Sequence, residues 1–446
     1  MDLSPLFLSR LQFALTIGFH FLFPPISIGL AWLLVVLEWR GWRGDEAARR
    51  AGRFFGRILG ITFAVGVASG IVMEFQFGTN WAEYAKFVGD IFGAPLAAEA
   101  VFSFFLESAF IGLYLFGRDR LSPGAHWFSI LMVAVGATLS AFWILVANSW
   151  QQTPAGFVLA GGRAELTSFW AAVFNPSTHH RFFHTMAASL VCGAFLMAGI
   201  AAWRLARDRG EEAARTSLRL ALVVGLVFAV ASLFPTGHHS AVQVARTQPE
   251  KLATIEGLID GQAGAPLVIF GVPHVDPPRL THVVQLPGLL SWLAAGDTEA
   301  WVDGMNDLRA AGWPTPPFAV TFVSFHLMVM LGMLFIAAAG LGVLLMLLRR
   351  LEGARWYLRL LPWLLPLPLV ATQLGWIVAE VGRQPWVVYR ILKTRDAFSQ
   401  NVTSGEILFS LVLFGLVYLA LGILYIWLLA RTVRRGPGPL PVKEVG

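Results

Sequence analysis

Long apolar runs alternate with short polar connections along this chain, and the runs set its architecture. Nine of them, at roughly 11–38, 54–76, 95–117, 127–149, 181–205, 218–238, 318–348, 362–381 and 405–430, are long and apolar enough to cross a membrane. About 20 helical residues span a hydrocarbon core of ~30 Å. The pattern predicts an all-α integral membrane protein, a nine-transmembrane-helix bundle. The first run follows Arg10, yet it is too long for a signal-peptide core and has no small-residue cleavage site, so it reads as a retained span. One connection, 239–317, is long: it is polar as far as Asp260, helical around Glu250 to Glu256, and rich in Gly and Pro after Gly261. A loop of that length is usually functional or disordered. The chain thus divides into 1–238 with six spans, a loop 239–317, and 318–446 with three spans and a tail. No internal repeat is visible, and no broken helix recurs in two halves as in an inverted-repeat transporter.

Composition agrees with the pattern. At 56% hydrophobic and 13% charged residues, with mean hydropathy +0.65, there is too little polar surface to cover a soluble domain of 446 residues. Charge then orients the bundle. With the N-terminus outside, the inner connections and the tail hold Arg40, Arg43, Arg49, Arg50 and Arg53, then Arg118 and Arg120, then Arg204, Arg207, Arg209 and Arg215, then Arg349, Arg350, Arg355 and Arg359, then Arg431, Arg434, Arg435 and Lys443. That is the positive-inside arrangement, and it makes the C-terminus cytoplasmic and the long loop exterior. The net charge of +6 is accounted for by this rim against anionic lipid, with no basic patch for nucleic acid. A single cysteine, Cys192, excludes internal disulfides and an iron–sulfur cluster ligated by this chain alone.

The spans carry polar residues that membrane depth makes expensive. His20 lies in the first, His184 at the start of the fifth, Met328 in the seventh, and Glu380 at the end of the eighth, in the run from Trp376 to Trp386 that also holds Arg383. All four fall in the outer half of the membrane by the orientation above. A thioether, two imidazoles and a carboxylate at one depth suit haem iron better than a hard cation. Taken singly, a methionine in a span packs a core and a histidine bridges helices. A second polar track runs along the third span, where Glu99 and Glu107 stand eight residues apart, two turns and about 80° around a regular helix. Ser103 and Ser108 lie beside them, Ser140 of the fourth span falls at the depth of Glu107, and Asn148 lies nearer the outside. Such a chain reads either as a proton relay or as carboxyl groups bonding neighbouring helices. Glu74, at the outer end of the second span, reads as part of either set or as solvated.

Several blocks of residues resemble subunit I of the cytochrome bd-type quinol oxidases, in order and over essentially the whole chain. They are Ser9-Arg-Leu-Gln-Phe-Ala-Leu-Thr16 leading to His20, Met73-Glu-Phe-Gln-Phe-Gly-Thr-Asn-Trp81, Gly89-Asp-Ile-Phe-Gly-Ala-Pro-Leu96, Phe104-Phe-Leu-Glu-Ser108, Trp143-Ile-Leu-Val-Ala-Asn148 and Gly382-Arg-Gln-Pro-Trp386. The resemblance implies three haems: a low-spin haem b, a high-spin haem b, and at the oxygen site haem d or a further haem b. By motif, His184 and Met328 would ligate the low-spin haem, and His20 and Glu380 one each of the high-spin pair. Trp376 would lie among the haems and Arg383 would pair with propionates. Lys251 and Glu256, in Lys-Leu-Ala-Thr-Ile-Glu, match the quinol-loop motif. The implied reaction oxidises ubiquinol or menaquinol at the outer face and reduces O2 to water. Its protons would come from the cytoplasm through Glu107, Ser108, Ser140 and Glu99. A second large membrane subunit, with or without a small single-span one, is implied as partner, and a bacterial cytoplasmic membrane as location.

Two departures bear on detail. His326 stands two residues before Met328 where the family pattern commonly has Arg, which makes it a rival ligand, and the loop is short and begins Thr236-Gly-His-His-Ser240, as in the cyanide-insensitive branch. Outside this family, a haem–copper oxidase needs more intramembrane histidines than the chain supplies. A bis-histidyl cytochrome needs paired histidines on shared helices. A haem-free, proton-coupled secondary transporter would use Glu99 and Glu107 alone.

Overall fold

A computed structural model describes residues 3–208 and 211–438; Arg209 and Lys443, named above among the inner cations, lie outside the described residues. Among the described residues, nine helices are long and apolar enough to cross a membrane: Pro5–Trp42, Glu46–Thr79, Ala82–Phe116, Pro123–Gln152, Thr178–Leu205, Glu212–Thr247, Phe318–Leu347, Arg355–Arg383 and Ser404–Arg435. They follow the predicted order. The third begins at Ala82 and not near 95, because Glu83, Lys86 and Asp90 lower the hydropathy of a first turn that is nonetheless helical. The sixth runs on to Thr247, so the loop starts at Gln248 and not at His239.

Four spans are interrupted. Pro24 and Pro25 cannot continue the ladder behind them, so the first helix stops at His20 and restarts at Pro24. Pro235 and Pro366 divide the sixth and eighth spans in the same way. In the third, Pro95 removes a backbone donor, and the helix widens into a π-turn over Glu99–Phe104 before resuming at Phe105.

The fifth span is the most enclosed of the nine. It touches the first backbone to backbone, since a Cβ on Gly193 or on Gly29 would run into the other helix, the small-residue contact that membrane helices use. Arginines tie the span ends together on one face: Arg118 pairs with Glu38, Arg204 donates to the Val433 carbonyl at 3.2 Å, and Arg219 to Glu352 at 2.9 Å. The opposite face, the loop face, is ordered and contains short elements that the hydropathy pattern did not predict. A hairpin pairs Leu267–Val275 with Pro278–Leu286, a smaller one pairs Phe157–Ala160 with Arg163–Leu166, and the strap 384–403 folds back over the second to fourth spans. The predicted loop helix spans Pro249–Glu256 and ends on Gly257, whose left-handed backbone (φ 69°) terminates it.

Candidate functional site

The eighth span is the hub of the polar residues. Gly375 lies against Met328 of the seventh span, where a Cβ would stand 3.0 Å from the sulfur. One residue on, Trp376 packs on Phe21 at 5.4 Å between ring centroids, and Gln373 donates at 2.8 Å to the Gly18 carbonyl, which ties the helix to the end of the His20 segment. One turn later Glu380 accepts from Asn148 Nδ2 of the fourth span at 2.9 Å. Asn148 Oδ1 in turn accepts from Arg181 at 3.1 Å, three residues before His184 on the fifth. His20, Met328 and His184 therefore come from three helices that converge on the eighth span, which itself carries Glu380.

Both candidate histidines are held alike. The Ser69 hydroxyl gives its proton to the Gly66 carbonyl at 2.9 Å, so towards His20 Nδ1, 3.0 Å away, it can only accept. Thr236 likewise donates to the Ala231 carbonyl at 2.9 Å and meets His184 Nδ1 at 3.2 Å. Each ring must then carry its proton on Nδ1, which leaves the Nε2 lone pair for a metal. His326 differs. Its Nδ1 faces the Phe322 carbonyl at 3.0 Å and its Nε2 the Val268 carbonyl of the loop hairpin at 2.9 Å; a neutral ring donates to one of the two.

Around Glu380 the charge is lopsided. Arg383, 3% exposed, forms an ion pair with Glu380 and donates to the Trp386 carbonyl at 3.3 Å. The Nε of half-buried Arg181 is shielded from solvent and has no hydrogen-bond partner among the described residues. Lys251, in the long loop and far in sequence from the candidate ligands, is 3% exposed beside the Glu380 turn, its ammonium on Gln152 Oε1 (2.7 Å), Gln248 Oε1 (2.8 Å) and the Ala379 carbonyl (3.4 Å). Burial, with Arg181 and Arg383 close by, holds its pKa well below that of an ordinary lysine. Three cations against one carboxylate, one of them with an idle donor, fit the acidic tails of a haem. Iron in a macrocycle also needs only one or two protein ligands, which is what single residues from separate helices offer.

At the far end of the same loop helix, Glu256 is 4% exposed, its Oε2 has no partner, and burial pushes its pKa up to about 8. The helix is anchored at its start, where Glu250 accepts from Tyr389 (2.5 Å) and Arg390 (2.6 Å).

The third-span track is rearranged from its sequence reading. Ser140 donates to Glu99 at 2.6 Å, not to Glu107, and the residue opposite Glu107 is Gly136, where a Cβ would come within 2.9 Å of the Glu107 nitrogen. The π-turn absorbs about one residue, so the eight-residue spacing acts as seven, about 700°, and both carboxyl groups share one face. Gly136 and Ser140, one turn apart on the fourth span, lie against the Glu107 backbone and the Glu99 carboxyl. Ser103 and Ser108 have buried hydroxyls without partners.

A sequence model of cytochrome bd terminal oxidase subunit I matches residues 8–437. The chain belongs to that family. It is 40% identical to cytochrome bd ubiquinol oxidase subunit 1 of Bacillus subtilis over 444 residues, covering 97% of this chain and 94% of the relative. It is 36% identical to cytochrome bd-II ubiquinol oxidase subunit 1 of Escherichia coli, covering 98% of each. Its fold superposes on the bd oxidase of Geobacillus thermodenitrificans with TM-score 0.90 at 32% identity, covering 97% of this chain and 99% of that one. As a bd oxidase subunit I it is a multi-pass, haem-dependent oxidoreductase of a bacterial respiratory chain, and the secondary-transporter alternative has no support.

Sequence reasoning had not placed Asn148, Gln152, Arg181 or Gln248 in the site. Asn148 stood inside a motif block, and an arginine within a span, as Arg181 is, is itself a signal. The two glutamines had no such mark.

Proposed function

We propose that this chain oxidises a quinol on the loop helix Pro249–Glu256, with Glu256 as proton acceptor, and passes the electrons inward to haems held by His184, Met328, His20 and Glu380. It is a subunit of a terminal quinol oxidase and works in a membrane complex with a second subunit. The observation that carries the proposal is the Glu256 oxygen: buried, without a partner among the described residues, and with its pKa pushed up to about 8 by burial, on a helix anchored beside the Glu380 turn. A carboxylate in that condition lacks a hydrogen-bonding partner that a quinol hydroxyl supplies, and it takes the proton that oxidation releases.

The remaining roles are part of the same proposal. His184 and Met328 would offer nitrogen and sulfur to a low-spin haem b. His20 and Glu380 offer one ligand each to a high-spin haem b and to the oxygen-site haem, either haem d or haem b. Bound haem would supply the electron transfer and the reduction of O2. Arg181 and Arg383 would hold its acidic tails, Asn148 fixes the Glu380 carboxyl, and Trp376 packs on Phe21 beside the His20 segment. Protons approach from the arginine face, taken as cytoplasmic, along Glu107, Ser108 and Glu99, with Ser140 orienting the last carboxyl.

The test is Glu256→Gln, which keeps volume and polarity. Quinol oxidation should fall by roughly 100-fold, the low end of general-base effects, while haem content and oxygen consumption with an artificial reductant persist. An equal fall with both donors would overturn the quinol assignment.

A further inference from the structure

The hairpin of Leu267–Val275 and Pro278–Leu286 lies along the loop end of the seventh span. The Val268 carbonyl stands 2.9 Å from His326 Nε2, and a Cβ on Gly271 would be 3.5 Å from the Phe322 ring. On that side the hairpin is packed, with Val268 in one buried cluster with Phe318 and Phe322 and Leu280 against it. The other side is bare. Phe270 and Val284 oppose each other across the two strands and are 48% and 55% exposed, and Val272 is exposed on the same strand as Phe270. From Leu267 to Leu286 the only charged residues are Asp276 and Arg279, at or next to the turn. In water such a hairpin, apolar on its open face and without charges along its strands, would be a site of aggregation.

The seventh span fixes the height of that face. Its helix Phe318–Leu347 has 30 residues, about 45 Å at 1.5 Å per residue, against ~30 Å for the hydrocarbon core and ~40–45 Å with the headgroups. Arg349 and Arg350 follow its far end, so a core of about 20 residues counted from there stops close to Met328. The turns from Phe318 to His326, and the hairpin seated on them, therefore stand in the headgroup layer on the loop side. Tilt of the helix only lowers them further. Over those turns the exposed side chains of the helix itself, Val320 and Val323, are apolar as well. Trp292, in the helix Leu289–Ala295 that follows the hairpin, is also exposed, and tryptophan is characteristic of the membrane interface.

We propose that the Phe270–Val284 face of the hairpin is a lipid-binding surface that rests in the headgroup and upper acyl layer of the loop-side leaflet. The loop is then a membrane-seated element and not a cap standing in water. Gly257, which ends the loop helix Pro249–Glu256, packs on the same Phe322 and Leu280, so the seat of the hairpin on lipid also sets the height of that helix.

The test is a nitroxide label on Phe270→Cys, Val272→Cys or Val284→Cys, made singly in the assembled enzyme in nanodiscs of phosphatidylethanolamine and phosphatidylglycerol. The native thiol, Cys192, is buried and leaves the label to the new site. Arg163→Cys, on the small hairpin, is the aqueous reference. At the three hairpin sites, collision of the label with dissolved oxygen should exceed collision with a water-soluble nickel chelate several-fold, with the order reversed at Arg163→Cys. Nickel access equal to that of the reference would place the face in water and overturn the proposal. An immobilised label shielded from both reagents would show a protein subunit covering the face and would overturn it as well. Three sites on one face keep the test open if one variant does not assemble.

Discussion

A histidine can bind iron only through a nitrogen that carries no proton, and in this chain two hydroxyls decide which nitrogen that is. Ser69 and Thr236 spend their protons on backbone carbonyls and so fix Nδ1–H on His20 and His184. Ser69→Ala and Thr236→Val should each leave the haem bound yet shift its reduction potential, read by redox titration, because the ring loses its hydrogen-bonded partner. Ser69→Ala should move the high-spin signal and Thr236→Val the low-spin one; the reverse would exchange the two ligand assignments. Met328→Leu should abolish the reduced α-band of the low-spin haem in a protein that still inserts, and an unchanged band would remove Met328 as ligand. The ligand residues were legible because buried ionisable or soft side chains are rare in apolar runs. Their partners were not, since a serine or threonine in a span has many uses and only contact across 49 or 52 residues of sequence selects one.

The informative element is the third span. Regular helix geometry put Glu99 and Glu107 about 80° apart and paired Glu107 with Ser140. The π-turn behind Pro95 brings both carboxyls to one face and gives Ser140 to Glu99. Glu107, buried and without a side-chain hydrogen bond among the described residues, is then the member of the track with the least structural work. Glu107→Gln should slow steady oxygen consumption by roughly tenfold or more, as expected for a lost proton carrier, while stopped-flow shows first-turnover electron transfer intact. Ser140→Ala should cost less, because it removes an orienting bond and no titrating group. Wild-type turnover in Glu107→Gln would make the residue structural.

At the scale of the whole molecule, loop and bundle form one unit on the loop face, and Glu256 makes that union sensitive to pH. Its folded pKa of about 8 lies above the ordinary carboxylate value of 4.5, so the folded protein holds more protons than the unfolded chain between those limits. The contribution to stability is complete below about 4.5 and is lost as pH rises through about 8. Catalysis runs the opposite way, since the acceptor must be unprotonated. The kcat/KM for quinol should rise with pH up to about 8 and then level, and Glu256→Gln should remove that rise; a wild-type profile in the variant would exclude the group. By itself the sequence determined the class, the nine spans, the sidedness expected from arginine, the family resemblance and the candidate ligands, because each depends on composition, local periodicity or short motifs. Tertiary structure alone decided that Lys251 of the loop reaches the Glu380 turn, that both nitrogens of His326 face backbone carbonyls, and that the eighth span gathers the others. Those facts depend on contacts between residues distant in sequence, and hydropathy carries no record of which faces meet.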